Sequence, residues 1–189
     1  MTPKPKFPRA LALQVAEELC SLLASATDRC IVAGSLRRRK TEVGDIEILY
    51  IPRYVTAPAN DLFSPPSRLN LVDAILGSLI TSGLLSKRLN ARGSKTWGPK
   101  NKYAVHVTSG IPVDFFAADE ANWFNYLVCR TGSAAHNTRI ASLAQARGWK
   151  WHSCDIGFTD AVGCTLFVHS EADVFTLLGL PYLEPWQRT

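Results

Sequence analysis

The chain has 189 residues, 47% of them hydrophobic, and 21 lysines and arginines against 16 aspartates and glutamates, for a formal charge of +5. That length holds one ordinary domain or two small lobes on a shared core, and the apolar content excludes disorder except at the ends. No run reaches the ~18 uninterrupted apolar residues of a membrane helix, so no membrane partner is expected.

The opening Met1-Thr2-Pro3-Lys4-Pro5-Lys6 is basic, but a polar helical pattern follows it, unlike a signal peptide. The five cysteines form no Cys-x-x-Cys pair and read as reduced thiols of a cytosolic protein. Leu11, Val15, Leu19, Leu22 and Leu23 recur at helical spacing and predict a helix over residues 8–26, with Pro8 suited to its first turn. A short buried strand over 30–34 ends in Gly34. The next strand alternates, with Ile46, Ile48 and Tyr50 on one face and Asp45, Glu47 and Leu49 on the other. Proline and asparagine make residues 53–70 a loop. A helix over 69–82 follows, then strands over 84–89, 103–108 and 111–116, the last two joined by a Thr108-Ser109-Gly110 hairpin turn. Beyond residue 118 helices are predicted over 120–129, 133–147 and 171–178, with short glycine-bounded strands between the last two. The result is an α+β chain divided into 1–118 and 119–189, without repeats.

Charge is unevenly placed. Between Asp73 and Asp114 there is no acid, while Lys87, Arg88, Arg92, Lys95, Lys100 and Lys102 alternate with Trp97 and Tyr103. Such a window is either a solvated face or a surface for a polyanion, and the interleaved aromatics and missing acids favour the polyanion.

Asp45 and Glu47 leave one face of a strand about 6.5 Å apart at the backbone. Asp114, on another predicted strand, can supply a third oxygen. Three hard ligands without histidine or thiol suit magnesium or manganese, and two such ions would serve phosphoryl transfer. The competing reading is the wet face of an edge strand. Upstream, Gly34-Ser35 ends a strand and opens a short helix whose free amides favour a phosphate, and Arg37, Arg38, Arg39 and Lys40 can neutralise a triphosphate. No Gly-Lys-Ser/Thr is present, so this is not a Walker motif. The four histidines read as structural or surface residues, and Trp123, Trp149 and Trp151 as core of the second lobe.

The stretch "GSLRRRKTEVGDIEIL" resembles the signature of the nucleotidyltransferase superfamily, and specifically of the family X (polymerase beta-like) DNA polymerases in a compact palm–thumb form like short phage or viral members. "RTGSAAHNTRIASLAQARG" resembles the thumb motif of that family, and "EADVFTLLGLPYLEP" its closing segment. The resemblance implies a mixed-sheet nucleotidyltransferase palm flanked by helices over 1–118 and a small helical and β thumb over 119–189. It implies transfer of nucleotidyl groups from deoxynucleoside triphosphates to the 3′ end of primer–template or gapped DNA, as in repair, by a monomer in the cytoplasm of a bacterial or phage-infected cell. Asp45, Glu47 and Asp114 become the catalytic residues and the ligands of two Mg2+ (or Mn2+) ions. Gly34, Ser35, Arg37, Arg38, Cys129, Arg130, Gly132, Ser133 and Asn137 become the nucleotide-binding set, and Lys95, Lys100, Lys102 and Arg139 the DNA contacts. The chain departs from the family at Glu47, where aspartate is usual, and at Cys129-Arg130, where many members carry Tyr-Phe against the sugar, so weaker exclusion of ribonucleotides is expected. Only about 30 residues precede Gly34, too few for a lyase domain, so removal of a deoxyribose phosphate is not expected. The alternatives are a nucleotidyltransferase that is template-independent or acts on RNA or another acceptor, and a non-catalytic DNA-end-binding module.

Overall fold

The computed structural model describes residues 5–57, 67–90 and 93–189. Residues 1–4 of the basic opening, Arg92 and the middle of the predicted loop lie outside them. Strand β1 (Phe7–Pro8) pairs with β3 (Glu42–Val43), and helix α1 (Arg9–Leu23) starts directly after Pro8. Ala12, Val15, Ala16, Leu19 and Leu23 form its buried stripe at helical spacing. A 3₁₀ turn at Ala24–Ala26 leads into β2 (Thr27–Val32), which begins three residues before the predicted strand. The four-residue helix α2 (Gly34–Arg37) follows, then β4 (Ile46–Pro52).

Residues 53–70 were expected to be a loop, yet β5 (Tyr54–Ala57) and β6 (Ser67–Asn70) form an antiparallel ladder. Tyr54, Val55 and Thr56 are strand formers, and Pro58, Pro65 and Pro66 lie outside the described residues. Helix α3 (Leu71–Thr81) is capped by Asn70, whose side-chain oxygen accepts from the amides of Val72 (3.0 Å) and Asp73 (3.3 Å). Strands β7 (Leu85–Lys87), β8 (Asn101–His106) and β9 (Pro112–Ala117) complete the first sheet, in the order β2-β4-β9-β8-β7. Only the β4–β9 pair is parallel; its neighbours are antiparallel, so the sheet is mixed and the fold is α+β.

Helix α4 (Trp123–Thr131) starts three residues later than expected, because Asp119 and Asn122 each accept the other's backbone amide in a tight turn (2.9 and 3.0 Å). Helix α5 (Ala134–Ala146), the antiparallel strands β10 (Lys150–His152), β11 (Gly157–Thr159) and β12 (Thr165–Phe167), and α6 (Glu171–Leu177) follow. A Ser170–Asp173 capping box opens α6.

Strand β4 is buried on both faces. Ile46, Ile48 and Tyr50 join α1 and α3 in one core, while Leu49 and Ile51 join Phe116, Trp123, Tyr126 and Leu127 in a second. A third core gathers α4, α5, α6 and the small sheet around Phe158 and Phe175, with Trp149 and Trp151 packed against it. The face of β4 that carries the acids thus runs directly into the apolar contact with α4. Among the described residues, no helix is long and apolar enough to cross a membrane.

Candidate active site

Parallel pairing of β4 with β9 sets Glu47 opposite Asp114. Paired residues of parallel strands point to the same side, so two carboxylates distant in sequence meet about 4.8 Å apart at the backbone. Asp45 stands one residue before β4, two before Glu47. The Ala33 amide donates to the Glu47 carbonyl (2.8 Å), which pins the start of α2 beside the acids. At Gly34 the backbone is left-handed (φ +61°), and a Cβ would approach Glu47 Cδ to 3.1 Å, so glycine is needed there both for conformation and for space.

Burial pushes the Glu47 carboxyl up to about 7; Asp45 and Asp114 push the same way, and Arg130 and Arg38 oppose them. Its Oε2 is buried without a hydrogen-bond partner. Burial also raises Asp114 above the usual aspartate value, offset in part by Arg88, whose Nη2 donates to Asp114 Oδ1. Arg88 in turn lies 4.8 Å from the ring centroid of Tyr103.

Among the described residues, no group of three or more His, Cys, Asp or Glu is arranged to hold a metal ion as it stands, and Arg88 supplies the positive charge at Asp114. The donor set nevertheless suits a hard cation. Glu47 has an orphaned carboxylate oxygen and feels the charges of Asp45 and Asp114, and in this structure Asp114 is held by Arg88.

Beside the acids lies an open cavity of about 430 Å³, lined by Ser35, Arg38, Asp45 and Glu47 from the sheet side. Its other wall is Cys129, Arg130, Gly132, Ser133, Ala134 and Asn137 with Ser153 and Cys154. The two walls are tied together: Arg38 Nη1 donates to the carbonyls of Thr131 and Gly132, both at 2.5 Å. Asn137 Nδ2 donates to the Cys129 carbonyl (2.7 Å), and a Cβ on Gly132 would fall 2.4 Å from Asn137 Oδ1, so any larger residue in the turn before α5 would have to displace the Asn137 side chain. Ser133 caps α5 by accepting from the His136 amide (3.0 Å). The Arg130 guanidinium lies 3.7 Å from the ring centroid of Phe116 and 5.0 Å from that of Tyr126, a packed plate on the cavity wall.

A family model described as the DNA polymerase beta thumb matches residues 126–189, the segment that forms this second wall. Over these residues the chain is similar to the thumb of polymerase beta. It is 28% identical over 201 residues to DNA polymerase lambda of Rattus norvegicus, covering 97% of this chain and 33% of that relative, so it spans about a third of the relative's length. Its fold matches two solved structures of Leishmania infantum polymerase beta, each at 19% identity. A ternary P/T complex gives a TM-score of 0.71 over 98% of this chain and 77% of the other. A ternary gap complex gives 0.73 over 97% and 71%.

Three sequence expectations are corrected by the geometry. Arg37 does not reach the cavity: its fork is spent on Glu171 (2.9 and 2.5 Å) and on Thr131 Oγ1 (2.6 Å), with Arg188 Nη1 on the far side of Glu171 at 2.7 Å. Gly34 is buried against Glu47 and does not line the cavity either. Lys102 is only 2% exposed; its Nζ donates to the Gly98 carbonyl (2.8 Å) and pairs with Asp73 (2.8 Å), so it is a structural lysine and no DNA contact. Lys95, Lys100 and Arg139 are exposed. The aromatics of the basic window are partly engaged within the chain, since Lys87 Nζ lies 4.6 Å from the Trp97 centroid. Two histidines do meet hydroxyls: His106 Nδ1 is 2.8 Å from Ser109 Oγ, an oxygen that also accepts from the Ile111 amide (3.3 Å) and serves the hairpin turn, and His152 Nε2 is 2.8 Å from Thr159 Oγ1 across the β10–β11 pair.

Sequence reasoning missed Arg88, Ser153 and Cys154. Arg88 stood among the window's cations with nothing local to single it out. Ser153 and Cys154 belong to the β10–β11 turn, and only tertiary packing brings that turn to the cavity.

Proposed function

We propose that the protein is a DNA polymerase that adds deoxynucleotides to the 3′ end of primer–template or gapped DNA, in repair, as a cytoplasmic monomer with a palm over 1–118 and a thumb over 119–189. The observation that carries this reading is the cavity itself, where Asp45, Glu47, Ser35 and Arg38 face Gly132, Ser133 and Asn137, with Asp114 outside the cavity lining but paired with Glu47 across the parallel strands. Ser35 and Arg38 hold the triphosphate, Gly132 and Ser133 flank the sugar and base, and Asn137 meets the base edge. Asp45, Glu47 and Asp114 would hold two Mg2+ (or Mn2+) ions, which would supply Lewis-acid stabilisation of charge in phosphoryl transfer. Asp114 accepts the proton of the primer hydroxyl, a role helped by the burial that raises its proton affinity. Arg88 then moves from Asp114 toward solvent, where DNA phosphate offers it another partner.

The test is single-nucleotide insertion on gapped and primer–template DNA with each deoxynucleoside triphosphate and Mg2+. Insertion of the complementary nucleotide is expected. Insertion indifferent to the template base would make the enzyme template-independent, and DNA retention without insertion would leave only an end-binding module.

The DNA contacts have their own signature. Replacing Lys95 and Lys100 by alanine should flatten the dependence of DNA affinity on salt, by about 0.9 in the log–log slope for each phosphate contact removed. The loss should be equal for unrelated sequences, because phosphate contacts carry no base information. Lys102 is left intact, since its loss strands Asp73 and the Gly98 carbonyl. An unchanged slope in the double variant would return this window to a solvated face.

A further inference from the structure

Cys20, in the last turn of α1, and Cys30, in β2, bring their sulfurs to 3.6 Å, with Cys30 Sγ donating to Cys20 Sγ. The 3₁₀ turn at Ala24–Ala26 reverses the chain between them, so two residues ten apart in sequence meet side chain to side chain. Both thiols are half-buried and pack against the first core, so each keeps some exposure to solvent. The place is mechanically significant. Strand β2 is an edge of the five-stranded sheet, paired only with β4, and its register with β4 shifts between Thr27 and Arg29. An edge strand with one neighbour and an irregular start opens more readily than an interior one. Its other end runs through Ala33 into the Gly34–Ser35 turn. The hydrogen bond from Cys30 lowers the Cys20 thiol, against burial and the charge of Glu17, while Cys30 is pushed up by the same bond and by burial. Cys20 is therefore the better nucleophile of the pair and Cys30 a protonated partner already in contact with it.

We propose that Cys20 and Cys30, in contact at 3.6 Å, form a disulfide under peroxide that staples the edge strand β2 to α1. The Cys20 thiolate attacks one oxygen of hydrogen peroxide; the O–O bond breaks, hydroxide leaves and is protonated to water, and Cys20 becomes a sulfenic acid. The Cys30 sulfur then attacks the Cys20 sulfur; the S–S bond forms, the S–O bond breaks, and the Cys30 proton leaves with the hydroxide as a second water. In sum, two thiols and one peroxide give one disulfide and two waters. The sulfurs close from 3.6 Å to about 2.05 Å, so α1 and β2 are joined by a covalent bond where a thiol contact stood before. The cross-link closes a short loop through the Ala24–Ala26 turn and restricts the unfolded chain, which raises stability. It also ties down the edge strand that the sheet holds from one side only. The staple is independent of the nucleotide-site reading.

The experiment treats the full chain with a small excess of hydrogen peroxide and compares it with the dithiothreitol-reduced form. Digestion without reductant and mass spectrometry should find a peptide joining Cys20 to Cys30, lost on reduction. Hydrogen exchange at the amides of β2 should slow in the oxidised form. The urea midpoint should rise by roughly 1 M on oxidation. In Cys20→Ala and in Cys30→Ala the oxidised and reduced forms should unfold at one midpoint, whatever its value. A chain carrying Cys154→Ser and Cys164→Ser lacks the two exposed thiols and should still form the link, which separates it from oxidation between chains. Absence of the linked peptide, in the natural chain or in this double variant, overturns the disulfide. A linked peptide with unchanged exchange and an unchanged midpoint overturns the staple, as does a midpoint difference that persists in both alanine variants. None of these readouts uses nucleotide or DNA, so their failure and the failure of the polymerase reading are told apart.

Discussion

Asp114→Asn is expected to lower the rate of nucleotidyl transfer about 10³-fold or more, while the protein unfolds at the same or a higher denaturant concentration. The two effects part because this carboxylate is costly to the fold. Burial raises its pKa, which means that the ionised form at neutral pH is less stable in the folded chain than in water, and Glu47 beside it is pushed up to about 7. Asparagine keeps an acceptor for Arg88 and removes one of three mutually repelling charges. It cannot take the primer's proton, and it weakens the hold on a divalent ion. Single-turnover insertion and a urea titration of both proteins are the measurements. Undiminished insertion would remove Asp114 from the site, and a large loss of stability would mean that the Arg88 pair outweighs the burial cost.

The largest effect on stability is expected at Glu171. Its carboxylate joins Arg37 from the end of α2 to Arg188, whose side chain is fully buried. Glu171→Ala leaves both guanidiniums without their shared anion and should destabilise by about 3–5 kcal/mol, the usual cost of stranding a buried charge. Replacing all three residues by leucine should cost far less, since no orphaned charge remains. Burial by itself would raise the Glu171 pKa, but the hydrogen bonds and charges of Arg37 and Arg188 outweigh it and hold the group below the usual glutamate value. The stabilisation is therefore complete above the unfolded pKa of about 4.3 and is lost as pH falls through the lower folded value. Against Glu171→Gln, the advantage of the natural chain should be widest at pH 7 and should narrow below about pH 4. A constant gap from pH 7 to pH 3 would show that the carboxylate's charge is not what matters.

The acids and the thumb turn were legible in the sequence because each rests on local rules. Asp45 and Glu47 share a strand face by period two, and Gly132-Ser133 announces a cap before α5. Lys102 was legible too, had periodicity been applied to it. It shares the buried face of β8 with Ala104 and His106, a pattern that overrides the composition of the basic window. The fate of Arg37 was not legible. Four consecutive cations look alike in sequence, and which one turns inward depends on Glu171, 134 residues away. The same holds for Arg88 on Asp114, since an ion pair leaves no periodic mark on the chain. Helix starts moved by a few residues for a related reason: the Asp119–Asn122 exchange takes the amides that a helix would otherwise use.

The parallel match of Glu47 with Asp114 also governs where this gene can gain or lose codons. Strand pairing, not chain length, sets that match, so the segments between β4 and β9 can lengthen or shorten without moving either carboxylate. Inside either strand the tolerance vanishes. One residue added to Ile46–Pro52 before Glu47, or to Pro112–Ala117 before Asp114, slides the carboxylate about 3.3 Å along its neighbour or turns it to the opposite face. Relatives of different length should therefore carry their insertions outside these two strands, and an insertion scan read out by nucleotide incorporation should return two sharp silent blocks at 46–52 and 112–117.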